Sequence, residues 1–255
     1  MVDIEFEGTD YSTYLRINDL LRLQVPLSDD AKDELLFIVV HQSYELWFKV
    51  ILDELRRGIA AIVARAPWRA LAHLGRMVKI EDLLIEHLRV LETMSPEGFL
   101  EFRDPLDPAS GFQSVQFRAI EFLSGAGRPA MLHFELFNDE QRAWLGDVSH
   151  ETNIWTAFEA GLRHEWGEDD VDVSSMVQSL YRDHASAPRS ALHAVAELMM
   201  DHDERLAMWR HQHMLMAGRQ IGRRPGTGGS AGMAYLETTL AGRLYPVLWE
   251  VRSML

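Results

Sequence analysis

The chain has 255 residues, a formal net charge of −14 and no cysteine, which excludes disulfides, zinc–thiolate sites, iron–sulfur clusters and thiol nucleophiles. Nucleic-acid binding would need a basic patch, and "GRRPG" at 222–226 is too short to supply one. Apolar residues make up 47%, ample for a packed core, but no continuous apolar run reaches the length of a membrane span, and the acidic opening "MVDIEFEGTD" lacks a signal-peptide layout; one cytoplasmic domain spanning 1–255 is expected.

Helical signals dominate in chain order, and alternating strand patterns are nearly absent. "SDDAKDE" (28–34) supplies a capping residue and first-turn acids. The helix that follows, 35–55, carries Phe37, Val40, Tyr44, Trp47, Phe48, Ile51 and Leu55 at spacings of three and four. His41 falls on that dry stripe. A second helix is expected over roughly 67–94. "SPEG" then restarts the chain, with Ser95 as N-cap and Pro96 at the first helical position. "FRDPLDPASG" (102–111) breaks helix, and 112–125 reads as another helix ended by Gly125. The region 126–189, with its acidic run "EDDVD" (168–172), reads as short helices and loops. A long helix is expected from about Ser190 to Ile221, with Val195, Met199, His202, Leu206, Trp209, His213 and Met216 as its stripe. "GRRPGTGGSAG" (222–232) ends it, and a last helix starts near Met233.

Of the eleven histidines, His41 and His213 stand out on apolar stripes, and His202 shares the second stripe. Each could be a core histidine satisfied by a hydrogen bond. No histidine has a glutamate three residues before it, which argues against a di-iron bundle, and HExxH is absent. A single axial imidazole holding haem iron remains open, since the porphyrin supplies the other ligands. "PGTGGSAG" (225–232) fits no phosphate loop; it is either a flexible turn or a loop whose glycines let backbone approach a ligand, with Thr227 as a polar contact. Arg103 follows Phe99 by four residues. That pairing suits an aromatic amino acid, an aromatic plate for its ring and a planar fork for its carboxylate, but from the residues alone a surface ion pair with Asp104 or Glu101 is the simpler account of Arg103.

Four blocks together resemble the haem-dependent tryptophan 2,3-dioxygenases: "YSTYLRINDLLRLQ" (11–24), "LFIVVHQSYELWFK" (36–49), "LETMSPEGFLEFRDPLDPASGFQSVQFRAIE" (91–121) and "HMLMAGRQIGRRPGTGGSAGMAYLETTL" (213–240). The resemblance implies an all-α, bundle-like fold with a haem slot between long helices. It implies haem b as cofactor, dioxygen as co-substrate, and cleavage of the indole C2–C3 bond of L-tryptophan to N-formylkynurenine. By the same resemblance His213 is the axial iron ligand, and His41 faces the indole N–H. Phe37 and Phe99 stack on the ring. Arg103 pairs with the substrate carboxylate and Thr227 contacts its polar end. Ser110 and Gly111 lie beside the oxygen site. The implied assembly is a homotetramer, in which the N-terminal segment, about 1–27, brings Tyr11, Tyr14 and Leu15 to a neighbouring subunit's pocket. Arg223-Arg224-Pro225 and Ala231 depart from the Ser-Lys-Thr and second serine common in relatives. They leave room for a shifted loop and an altered substrate. A haem monooxygenase acting on a tryptophan derivative is the alternative within the superfamily, and a non-catalytic haem protein a further one.

Overall fold

The computed structural model describes residues 9–133, 135, 137–167 and 171–255. The first eight residues of the N-terminal segment, and 168–170 of the acidic run, lie outside the described residues. The fold is all-α, as expected, with no strand among the described residues. Two short N-terminal helices, α1 (Tyr11–Leu15) and α2 (Ile17–Leu20), precede the long α3 (Glu34–Val63) and α4 (Pro67–Leu91). Next come α5 (Pro96–Arg103), α6 (Val115–Leu123), α7 (Asp139–Ser149), α8 (Ile154–Trp166) and α9 (Val173–Arg182). The longest helix, α10 (Ala187–Ile221), leads to α11 (Met233–Thr239) and α12 (Pro246–Val251).

The frame is a three-helix arrangement in which α4 packs along both α3 and α10, while α6 and α8 lie against α3. The expected stripe of α3 is its buried face: Val40, Tyr44, Phe48, Ile51 and Leu55 are buried, and the face continues through Ile59 and Ile62. Each such side chain contributes roughly 1.5–3 kcal/mol by leaving water. The α3–α4 turn uses Arg65 at φ +60°, and Pro67 starts α4 where no amide donor is needed. By length and composition alone α3 is apolar enough to cross a membrane, which the expectation from apolar runs had excluded. Much of its apolar side is nonetheless spent on α4, α6 and α8.

Several boundaries differ from the sequence reading. Helix α4 stops at Leu91, three residues early, because Glu92, Thr93 and Met94 turn back onto its last carbonyls before Ser95 caps α5. The segment 111–113 is a separate 3₁₀ turn capped by Ser110, so α6 begins only at Val115. The acids before α3 act differently too. Asp33 makes no side-chain cap bond. Glu34 is instead buried and reaches back to accept from the Leu27 and Ser28 amides at 2.7 and 3.0 Å and from the Ser28 hydroxyl at 2.5 Å. Burial alone would raise its pKa, but these bonds outweigh it and hold the carboxyl below the usual range. The C-terminal region splits into α11 and α12. The second is pinned to α10 by Asp203, which accepts from the Tyr245 amide at 3.2 Å and from Trp249 Nε1 at 2.8 Å.

Candidate functional site

The site gathers where the start of α3, helix α5 and the C-terminal half of α10 meet. Helix α5 is fixed from both sides. Gln212 of α10 donates to Glu92 at 2.6 Å, and Gln220 donates to the Met94 carbonyl at 2.7 Å. At its N-terminus Gly98 is buried, and an added Cβ would collide with the Asp33 carboxylate. That close approach brings Phe99 to Phe37, with ring centroids 5.9 Å apart. Phe102, fully buried, backs both rings at 5.4 Å. Two of the expected ring contacts therefore share one aromatic wall.

His41 stands one turn beyond Phe37, with ring centroids 4.0 Å apart. Its Nδ1 lies 2.7 Å from the Phe37 carbonyl, which can only accept, so Nδ1 carries the proton and Nε2 is left as an acceptor. The residue is exposed, yet neighbouring atoms crowd its ring. Desolvation lowers its pKa, against smaller opposing effects of the Phe37 carbonyl and Glu45, and the imidazole is neutral at pH 7.

His213, half-buried on α10, makes no hydrogen bond among the described residues. Burial, with a smaller repulsion from His41, lowers its pKa to about 4. Two neutral imidazoles thus sit near enough that a proton on one disfavours a proton on the other. The His213 ring lies flat against Trp209, with centroids 5.1 Å apart and planes 3° from parallel. The third candidate on the stripes, His202, is a core residue. It is fully buried, bonded through Nδ1 to Glu81 at 2.5 Å and through Nε2 to Ser124 at 2.9 Å.

Arg103 ends α5 with its side chain only 16% exposed, and its Nη1 pairs loosely, at 3.7 Å, with the solvent-exposed carboxylate of Asp104, so the ion pair expected as the simpler account is present. Its Nη2 donates to the Pro225 carbonyl at 2.5 Å. The glycine-rich loop is held a second time by Thr227, whose hydroxyl donates to the Ala109 carbonyl at 2.6 Å. Gly228 packs so closely on Ser110 that a Cβ would overlap its side chain. The loop therefore stitches Arg103 to the Ser110–Gly111 turn, bringing together four residues singled out from the sequence. The Pro225 contact was not foreseen, because a backbone carbonyl leaves no residue-type signature.

Tyr11, Tyr14 and Leu15 do not join this cluster within the chain. They are 74%, 74% and 41% exposed, on a helix that buries no residue. The segment behind them is nevertheless tied beside the site. Gln24 donates to Gln42, the neighbour of His41, at 2.5 Å, and Gln42 donates to the Leu23 carbonyl at 3.0 Å.

Fold and site define an all-α protein that brings two neutral imidazoles and a partly buried arginine near an aromatic wall. The family model described as tryptophan 2,3-dioxygenase matches residues 1–174 and 130–255. A protein of Nocardioides sp. named tryptophan 2,3-dioxygenase is 43% identical over 254 residues, covering 96% of this chain and 94% of its own length. Proteins of the same name from Caulobacter vibrioides and Herpetosiphon aurantiacus are each 37% identical, covering 96% and 97% of this chain and 98% of their own lengths. The chain belongs to the tryptophan 2,3-dioxygenase family.

Proposed function

We propose that this protein is a haem-dependent dioxygenase that opens the indole C2–C3 bond of L-tryptophan to give N-formylkynurenine, as a cytoplasmic enzyme of tryptophan breakdown. The observation that carries this reading is the pairing of His213, a neutral imidazole with no hydrogen bond among the described residues, with His41, a neutral imidazole whose Nε2 is left to accept. A ligand to iron must be unprotonated and must have a free lone pair, and His213 meets both conditions, so the residues present fit a haem. Haem would supply the activation of dioxygen. His213 would hold it, and the chain's other residues would bind and orient tryptophan.

Phe37 and Phe99 give the indole an apolar wall. His41 Nε2 accepts the indole N–H, a donor that would be costly to bury unpaired. Arg103, placed by Pro225, would turn its guanidinium to the substrate carboxylate, which would compete with the exposed and loosely paired Asp104. Thr227 contacts the polar end of the substrate, and the Ser110–Gly111 turn borders the space for oxygen. We read residues 1–255 as one catalytic domain that works as a homotetramer. The exposed Tyr11, Tyr14 and Leu15 would then close a neighbour's pocket, an assignment supported by their lack of burial in their own chain.

The decisive experiment feeds L-tryptophan and labelled dioxygen to the haem-loaded protein. Both labelled atoms should appear in the product. Incorporation of a single atom would replace the dioxygenase reading with a monooxygenase one, and no turnover would remove both.

A further inference from the structure

A metal-bound histidine normally has its ring plane fixed by a bond from its second nitrogen to a carbonyl or carboxylate. His213 has no such bond among the described residues. What it has is the parallel indole of Trp209, one turn earlier on α10, at 5.1 Å and 3°. That indole is itself held on several sides. Its Nε1–H donates to the Tyr44 hydroxyl at 3.1 Å, and the Tyr44 hydroxyl in turn donates a hydrogen bond to the Leu84 carbonyl of α4. Phe117 of α6 lies 5.4 Å from the indole, and Tyr44 meets it edge-on at 6.3 Å. Tyr44 is buried, which pushes its phenol well above the ordinary range and keeps it a donor at every working pH. One tryptophan on α10 is therefore fixed by α3, α4 and α6, and its flat face bears on the imidazole.

We infer that Trp209 is the positioning residue for the His213 ring, with Tyr44 as its anchor. This rests on the reading of His213 as the haem ligand. The stack sets the rotation of the imidazole about its Cβ–Cγ bond, the degree of freedom that a hydrogen bond to the second ring nitrogen would otherwise remove. Tyr44 holds the indole in register with the frame. An aromatic contact of this kind changes a binding constant by roughly two- to tenfold.

The test uses the haem-loaded protein and two readouts that do not depend on turnover. One is the rate at which ferric haem is lost to excess apomyoglobin. The other is the iron–histidine stretching band of the ferrous protein in resonance Raman spectra. Trp209→Leu should speed haem loss by roughly two- to tenfold, the range for an aromatic pair, and broaden or shift the band. Trp209→Phe keeps a flat ring and should restore most of the slow loss. Tyr44→Phe leaves the stack but removes its anchor, and should broaden the band without a comparable change in haem loss. If His213→Ala keeps its haem and its band, the ligand assignment beneath the inference fails. If His213→Ala loses the band while Trp209→Leu and Tyr44→Phe match the wild type, only the positioning role fails. Equal impairment of Trp209→Leu and Trp209→Phe, in step with a fall in Tm, would mark Trp209 as packing alone and overturn the inference. Should Trp209→Leu not fold, the band of Tyr44→Phe decides.

Discussion

Replacing His41 by alanine separates an orienting role from a packing one. The Nδ1 proton is committed to the Phe37 carbonyl at 2.7 Å, so the ring is held in the tautomer that leaves Nε2 to accept. Removing it strands the indole N–H against an apolar wall, at a cost of about 1–3 kcal/mol, the penalty for a buried donor without a partner. Tryptophan turnover, measured as kcat/KM, should therefore fall by roughly five- to hundredfold. The haem spectrum should stay that of the wild type. The substrate 1-methyltryptophan has no such donor, so His41→Ala should damage its turnover less. The pH dependence follows from the direction of the pKa shift. Burial lowers the pKa of His41 below its ordinary value of 6.5, so the accepting form persists as pH falls through 6.5. The acid limb of kcat/KM should lie below that value, and His41→Ala should erase it. Equal damage to tryptophan and 1-methyltryptophan would refute the acceptor role.

Arg103→Lys keeps the charge but cannot hold the Pro225 carbonyl and a carboxylate together in one planar fork. Tryptophan affinity should fall by about 1.5–3 kcal/mol, while tryptamine, lacking the carboxylate, should be a poor substrate of the wild type; equal turnover of the two amines would count against the assignment. His213→Ala should abolish most haem binding, measured by absorbance titration. His202→Ala should leave haem bound but lower stability by about 3 kcal/mol in a denaturant titration, because it strips the partner from buried Glu81. Deleting residues 1–16 should raise KM for tryptophan while haem stays bound, and an unaltered KM in a fully active monomer would exclude the neighbour's arm.

The long helices and much of the cleft could be read from spacing because their residues are local neighbours. Phe37 and His41 are one turn apart on α3, and Phe99 and Arg103 one turn apart on α5. Helices α7 to α9 left signals too. Asn138, Asn153 and Asp172 each cap the amide three residues on, and Asn138 forms a reciprocal capping box with Gln141. Those signals were obscured because the helices are short and bury few residues, so no long stripe announces them. Contacts far apart in sequence were harder. Arg103 meets Pro225 through a backbone carbonyl, and Tyr44 meets Trp209 through a hydroxyl that its place in the stripe disguised as core packing.

The three stripe histidines show why spacing alone does not assign a role. All fall on apolar stripes in the sequence, yet only His202 is buried in the fold, and the three differ in how many ring nitrogens the protein engages. His202 has both engaged, by Glu81 and Ser124 on other helices, and nothing is left for a ligand. His41 has one engaged, by Phe37 on its own helix, and one left to accept. His213 has neither engaged among the described residues and is held by a ring face instead. Burying an imidazole with unmet hydrogen-bonding capacity costs stability. His41 and His213 avoid that cost by staying accessible, the first exposed and the second half-buried, and on the proposed reading their open nitrogens take an indole donor and an iron. On the proposed roles that ordering separates a structural histidine from an orienting one and from a metal ligand, and it depends on tertiary partners that spacing along one helix does not reveal.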